Sequence, residues 1–183
     1  MCEKELKNRR TTRLQGNTYN GDASYFITIC TRNKQCTLSR ILVGTGVLDG
    51  PRGKGESSVA LLPRGEIADR YIRQMNAFYE DVSVDAYVIM PNHIHLLMSV
   101  KNTADSKNGP SGTPVPTIQN SVVSKFVSTF KRFCNKECGE NIWQYRSNDH
   151  VIRNRKDYEE HVRYIGENPA RWHVDELYAM DET

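Results

Sequence analysis

The feature that most constrains the fold is a pair of apolar segments, Val82–Met90 and His93–Val100, which are separated only by Pro91 and Asn92. Both segments are rich in the β-branched and apolar residues that favour β-strands. Two residues are too few for the crossover that joins parallel strands, so these strands must pair antiparallel. With Ser24–Thr31 as a further strand, we expect an α+β fold rather than a doubly wound parallel sheet.

Three helices with one apolar face each are predicted around these strands. The first follows Pro63, the second covers 117–137, and the third covers 154–167, where Asn154 can cap the first turn and Pro169 follows the end. The residues expected on the apolar face of the first helix are Ile67, Tyr71, Met75 and Phe78. Those expected on the apolar face of the third are Tyr158, Val162 and Ile165.

Two stretches rich in glycine and proline, Gly44–Ser58 and Lys101–Pro116, interrupt this pattern. The pieces that they separate are too short to fold alone, so we expect one domain over 1–183 with two mobile insertions. Gly44 and Gly46 lack the remaining glycines of a dinucleotide-binding loop, and no nucleotide cofactor is expected.

Composition and charge exclude several classes of protein. The net charge is only +3, which argues against a polybasic protein, yet the first 40 residues carry eight basic and three acidic side chains. No apolar run is long enough to cross a bilayer, and no apolar segment follows the basic N-terminus as in a signal peptide. The five cysteines include no paired C-x-x-C, which favours reduced thiols over zinc ligands. We therefore expect a cytoplasmic protein with no membrane partner.

His93 and His95 are the most informative residues of the third strand. Because side chains alternate along a strand, the two imidazoles point to the same face, about 7 Å apart. Two imidazoles so placed can bind one divalent cation, although two partly exposed histidines would give the same pattern.

The last predicted helix can supply the remaining parts of such a site. Four polar residues share one stripe at spacings of three and four: Asp157, His161, Tyr164 and Asn168. The amide oxygen of Asn168 can act as a third metal ligand, and a tyrosine beside a cation can attack a phosphodiester. An ordinary packing role for Tyr164 fits the same spacing.

Six segments occur in an order that resembles a known family. They are Tyr25–Thr31, Tyr87–Leu97, Phe126–Lys131, Trp143–Gln144, Asp149–Asn154 and Tyr164–Pro169. In this order they resemble the REP-associated tyrosine transposases, which are single-tyrosine members of the HUH (histidine–hydrophobe–histidine) nuclease superfamily. The M-P-N-H-x-H, D-H-x-I-R-N and Y-I-x-x-N-P sequences together are far more specific than H-x-H alone.

The resemblance implies a ferredoxin-like α+β fold with a central antiparallel sheet, and a homodimer that cuts and rejoins single-stranded DNA near palindromic hairpins through a 5′-phosphotyrosine. It implies Mg²⁺ or Mn²⁺ as the cofactor, with His93 and His95 as ligands and Tyr164 as the nucleophile. Asn168 would be the third ligand, and His150 is a competing candidate for contact with the metal or with a phosphate.

Basic side chains are expected to contact DNA phosphates. The candidates are Arg13, Arg32, Lys125, Lys131 and Arg153. Two other functions remain open at this point. One is a hairpin-binding relative that has lost catalysis, and the other is a small metal-dependent hydrolase that uses a metal-bound water and in which Tyr164 only packs.

Overall fold

The structure is a computed structural model that describes residues 23–43, 57–101 and 122–178. The predicted DNA contact Arg13 and most of the two predicted insertions, residues 44–56 and 102–116, lie outside these ranges. The elements, in chain order, are β1 (Ala23–Cys30), β2 (Ser39–Val43), β3 (Ser57–Leu61), α1 (Pro63–Phe78), β4 (Val82–Ile89), β5 (His93–Val100), α2 (Val122–Cys138), β6 (Asn148–Ile152) and α3 (Arg155–Glu167). A 3₁₀ segment, Pro169–Val174, follows α3.

The central sheet has the strand order β4-β5-β1-β6, and every neighbouring pair is antiparallel. The tight turn closes where predicted, since Ile89 pairs with Ile94 across Pro91 and Asn92. Helix α1 precedes the β4–β5 hairpin and α2 connects it to β6, which gives the order of a ferredoxin-like fold. The predicted α+β architecture with a central antiparallel sheet is confirmed.

The two faces of the sheet have different environments because side chains alternate along each strand. One face carries Ile27 and Ile29 of β1 and Ile94 and Leu96 of β5, which pack with buried residues of α1 and α2. The opposite face carries both histidines of β5, together with apolar residues that pack against Ile165 of α3. The candidate site therefore lies on the face opposite the main core, between the sheet and α3.

The predicted apolar face of α1 is wrong at its end. Phe78 is 80% exposed, because it is the last residue of the helix and lies beyond the part that packs on α2 and the sheet. The buried residues of this helix are Gly65, Ala68, Ile72 and Met75. Gly65 permits a close approach, since a Cβ atom built there would lie 1.9 Å from the carbonyl oxygen of Leu38.

Three further differences from the sequence predictions concern α3 and the shorter strands. Val162 is 41% exposed, so Ile165 alone of the predicted stripe on α3 is fully buried. The predicted insertion Gly44–Ser58 ends earlier than expected, because Ser57 already begins β3. The hairpin of β2 and β3 and the edge strand β6 were not predicted. In the part of the chain that is described, no helix is both long and apolar enough to cross a membrane.

Candidate active site

A cavity of about 580 Å³ opens between the sheet and the C-terminal half of α3. The sheet contributes Phe26, Thr28 and His95 to its wall, and the remaining wall comes from α3 and the segment after it. The wall residues from α3 and the segment after it include His161, Tyr164, Asn168 and Asp175. The fold thus brings Tyr164, His95 and Asn168 to one cavity, and His93 lies beside His95.

The rings of His93 and His95 face each other, with their Nε2 atoms 3.0 Å apart. The Nδ1 atom of His93 lies 2.8 Å from Oδ1 of Asn92. That oxygen can only accept, so His93 carries its proton on Nδ1 and its Nε2 atom is an acceptor. The side chain of Asn92 is held in this orientation because its Nδ2 donates to the carbonyl oxygens of Lys34 and Leu177.

The hydrogen bond between the two rings requires one tautomer of His95. Because Nε2 of His93 must accept, Nε2 of His95 carries the proton that they share, and the hydroxyl of Thr28 donates to Nδ1 of His95 at 2.9 Å. Thr28 can also accept a hydrogen bond, so its hydroxyl fits the other tautomer of His95 equally well. The pair can therefore present two Nε2 lone pairs to one cation without breaking its outer hydrogen bonds.

Burial keeps both imidazoles neutral. It lowers the pKa of His93 to about 4, although the carboxylate of Asp175 opposes this shift. Burial, together with electrostatic interactions with His93 and His161, lowers the pKa of His95 to about 2. Neutral imidazole is the form that binds metal ions, so the environment suits these residues as ligands.

Asn168 supplies an oxygen that has no other use in the described part of the chain. Its side chain is buried, and its Nδ2 donates to Oδ2 of Asp175 at 3.1 Å. Its Oδ1 atom is fully buried and accepts no hydrogen bond from any described residue. A buried amide oxygen without a partner is costly, and a cation would satisfy it. The residues present therefore fit a divalent metal.

Asp175 is a site residue that the sequence did not predict. One ligand atom from each of His93, His95 and Asp175 lies within 4.8 Å of the others. Oδ2 of Asp175 also accepts from the hydroxyl of Tyr164 at 3.4 Å. Asp175 belongs to an acidic tail with no periodicity, and in the fold it directly follows the 3₁₀ segment Pro169–Val174.

Tyr164 lies at the edge of the cavity and is 39% exposed. Its ring centroid is 5.3 Å from that of His95 and 5.9 Å from that of Phe26. Burial and the negative charge of Asp175 raise the pKa of the phenol above its ordinary value. A nearby cation would be needed to produce the phenolate at neutral pH.

The other predicted contacts differ in their exposure. Arg32, Lys125 and Arg153 have exposed side chains. Lys131 is partly buried, and its Nζ donates to the carbonyl oxygens of Gln144 and Tyr145 at 2.9 and 3.4 Å. His150 lies apart from the two histidines of β5, in a cluster described below.

Comparisons with known proteins show sequence similarity to two proteins. No family model matches the chain. An uncharacterised protein of Haemophilus influenzae is 28% identical over 183 residues, which cover 94% of each chain. The REP-associated tyrosine transposase of Escherichia coli is 34% identical over 89 residues, which cover 48% of this chain and 44% of that protein.

A solved structure has the same fold. The REP-associated tyrosine transposase bound to a REP hairpin superposes with a TM-score of 0.55 and 22% identity, over 87% of this chain and 73% of that one. This chain therefore has the fold of the hairpin-bound transposase and, over about half of its length, a sequence similar to that of the Escherichia coli transposase.

Proposed function

We propose that this protein is a metal-dependent transesterase that cleaves and rejoins single-stranded DNA near palindromic hairpins. One observation carries the proposal. Neutral His95, a buried amide oxygen with no partner among the described residues and a tyrosine hydroxyl meet in one cavity, and neutral His93 lies directly beside His95. A packing role alone would leave the oxygen of Asn168 without a partner.

His93, His95 and Asn168 would hold the metal, and Asp175 is placed to add a carboxylate. Mixed nitrogen and oxygen ligands suit Mn²⁺ better than Mg²⁺, which prefers oxygen alone. When bound, the cation would act as a Lewis acid, which polarises the scissile phosphate and lowers the pKa of a neighbouring phenol.

Tyr164 is the nucleophile in this proposal. Its Oη atom attacks phosphorus, a phosphotyrosine bond forms to the 5′-phosphate, and the bond from phosphorus to the 3′-oxygen breaks. The hydroxyl of Tyr164 donates a hydrogen bond to Oδ2 of Asp175, so this oxygen takes the phenolic proton. Asp175 can then return the proton to the leaving 3′-oxygen. Attack by a 3′-hydroxyl on the phosphotyrosine reverses these steps and rejoins the strand without an energy source.

Charge and comparison support DNA as the partner. The exposed side chains of Arg32, Lys125 and Arg153 can neutralise phosphates, and the similar solved transposase was bound to a REP hairpin. We expect a homodimer in the cytoplasm. The candidate ligands and Tyr164 all come from one chain, so a partner chain is not required to assemble this set.

The test uses one hairpin oligonucleotide with single-stranded flanks, labelled at either its 3′ or its 5′ end, and Mn²⁺. The proposal predicts that the 3′ label becomes attached to protein under denaturing conditions, while the 5′ label is released with a free 3′-hydroxyl. Tyr164→Phe should abolish the adduct. Tyr145→Phe is the matched control, because Tyr145 is 96% exposed and the ring is retained.

Two outcomes would replace this proposal by another function. Binding of the hairpin with no cleavage would indicate an inactive DNA-binding relative. Metal-dependent cleavage that survives Tyr164→Phe would rule out the tyrosine mechanism and favour hydrolysis by a metal-bound water.

A further inference from the structure

A second cluster of side chains that can bind a metal lies beside the proposed active site, and none of its members is a proposed ligand or nucleophile of that site. His150 comes from β6, whereas Asp157 and His161 come from α3. One ligand atom from each of the three lies within 4.8 Å of the others. The cluster contains two imidazoles and one carboxylate, a ligand set that suits Zn²⁺ and similar ions.

The local fold fixes this cluster from two sides. The side chain of Asn154 caps α3 by accepting from the backbone N–H of Asp157 at 2.9 Å. Asp157 and His161 are four residues apart, so they share one face of the helix. On the neighbouring edge strand, His150 pairs with Phe26 of β1, which sets its position in the sheet.

The distances place the carboxylate between the two imidazoles. Oδ2 of Asp157 is 3.1 Å from Nε2 of His150, and Oδ1 is 3.2 Å from Nδ1 of His161. Nδ1 of His161 also lies 2.8 Å from the carbonyl oxygen of Asp157. The two rings stack with their centroids 5.0 Å apart.

Exposure and charge are consistent with cation binding. The side chain of His150 is 46% exposed, whereas those of Asp157 and His161 are 18% and 22% exposed, so the cluster has a solvent entrance on one side. Although burial opposes ionisation, hydrogen bonds from the N–H of Arg153 and from His150 lower the pKa of Asp157. Asp157 is therefore a carboxylate at neutral pH.

We propose that His150, Asp157 and His161 bind a divalent transition-metal ion, with Zn²⁺ as the best-suited example, at a site separate from that of His93 and His95. The ring of Phe26 lies between the two sites, 4.9 Å from the ring of His95 and 4.4 Å from that of His161. His161 also lines the cavity. A cation there would place positive charge next to a bound DNA strand, a consequence that rests on the proposed function, whereas the metal binding itself does not.

The test is calorimetric titration of the full-length, chelator-treated protein with Zn²⁺. The proposal predicts that His150→Ala removes one equivalent of bound Zn²⁺ or weakens its binding at least about tenfold. Asp157→Asn should have the same effect with almost no change in shape. His173→Ala is the matched control, because this exposed histidine belongs to neither cluster, and it should bind Zn²⁺ like the wild type.

Circular dichroism identifies any variant that fails to fold, in which case His150→Gln replaces it. An unchanged stoichiometry and affinity in the folded His150 and Asp157 variants would overturn the proposal, as would a wild type that binds no Zn²⁺. His95→Ala separates this proposal from the proposed function. If His150→Ala loses one equivalent of bound Zn²⁺ and His95→Ala retains it, the second site is supported, even if the first site binds no metal.

Discussion

Mild acid should destabilise this protein through its two buried histidines. In the fold, burial holds the pKa of His93 at about 4 and that of His95 at about 2, against an ordinary value of 6.5. Below pH 6.5 the unfolded chain therefore binds two protons that the folded chain does not bind. The free energy of unfolding is highest above this pH and falls as the pH decreases. It continues to fall at this rate until His93 in the folded protein takes up a proton near pH 4.

The size of the effect follows from proton linkage. One pH unit below the ordinary pKa, each such histidine lowers the free energy of unfolding by about 1.4 kcal/mol. The pair therefore accounts for a loss of about 3 kcal/mol between roughly pH 7.5 and 5.5, a large fraction of the stability of a typical domain.

Urea unfolding followed by circular dichroism, in buffers free of metal, measures this loss. His95→Gln removes one of the titrating groups, so it should reduce the loss to about half. His173→Ala removes an exposed histidine and should keep the full loss. A free energy of unfolding that stays constant down to about pH 5.5, or a loss that His95→Gln leaves unchanged, would refute the reasoning.

Three further predictions follow from packing and from the metal site. In the same urea assay, Gly65→Ala should lower the free energy of unfolding by at least about 2 kcal/mol, because the new Cβ atom would collide with the backbone. Gly166→Ala should raise the free energy of unfolding by up to about 1 kcal/mol, because a Cβ atom at this position of α3 meets only open space. Phe130→Ala should lower it by about 3–5 kcal/mol, since this ring is fully buried, and an unchanged melting temperature would contradict the assigned core. Mn²⁺ at about one hundred times its dissociation constant should raise the free energy of unfolding by about 3 kcal/mol. Asp175→Asn should weaken this stabilisation, and no effect would exclude Asp175 as a ligand.

The parts of the fold that the sequence predicted depend on short-range rules. The connection of two residues at Pro91 and Asn92 leaves only an antiparallel hairpin, and the period of two along β5 then assigns His93 and His95 to one face. The start of α3 was equally predictable, because Asn154 caps it through a local hydrogen bond.

The parts that the sequence did not predict depend on contacts between distant residues. Strand β6 is short and largely exposed, so it lacks an apolar pattern and is defined by its pairing with β1. Phe78 has helical spacing, but no element within the described ranges reaches the end of α1 to cover it. Asp175 reaches the site because Asn92, far away in the chain, holds the carbonyl oxygen of Leu177.

The central claim is that Tyr164 forms a covalent bond to DNA. The most direct measurement is mass spectrometry of peptides from the protein after incubation with hairpin DNA and Mn²⁺, followed by nuclease digestion. The account predicts a nucleotide 5′-phosphate attached to the peptide that contains Tyr164, and none on that peptide when Mn²⁺ is omitted. An attached nucleotide on any other residue, or cleaved DNA with no modified peptide, would contradict it.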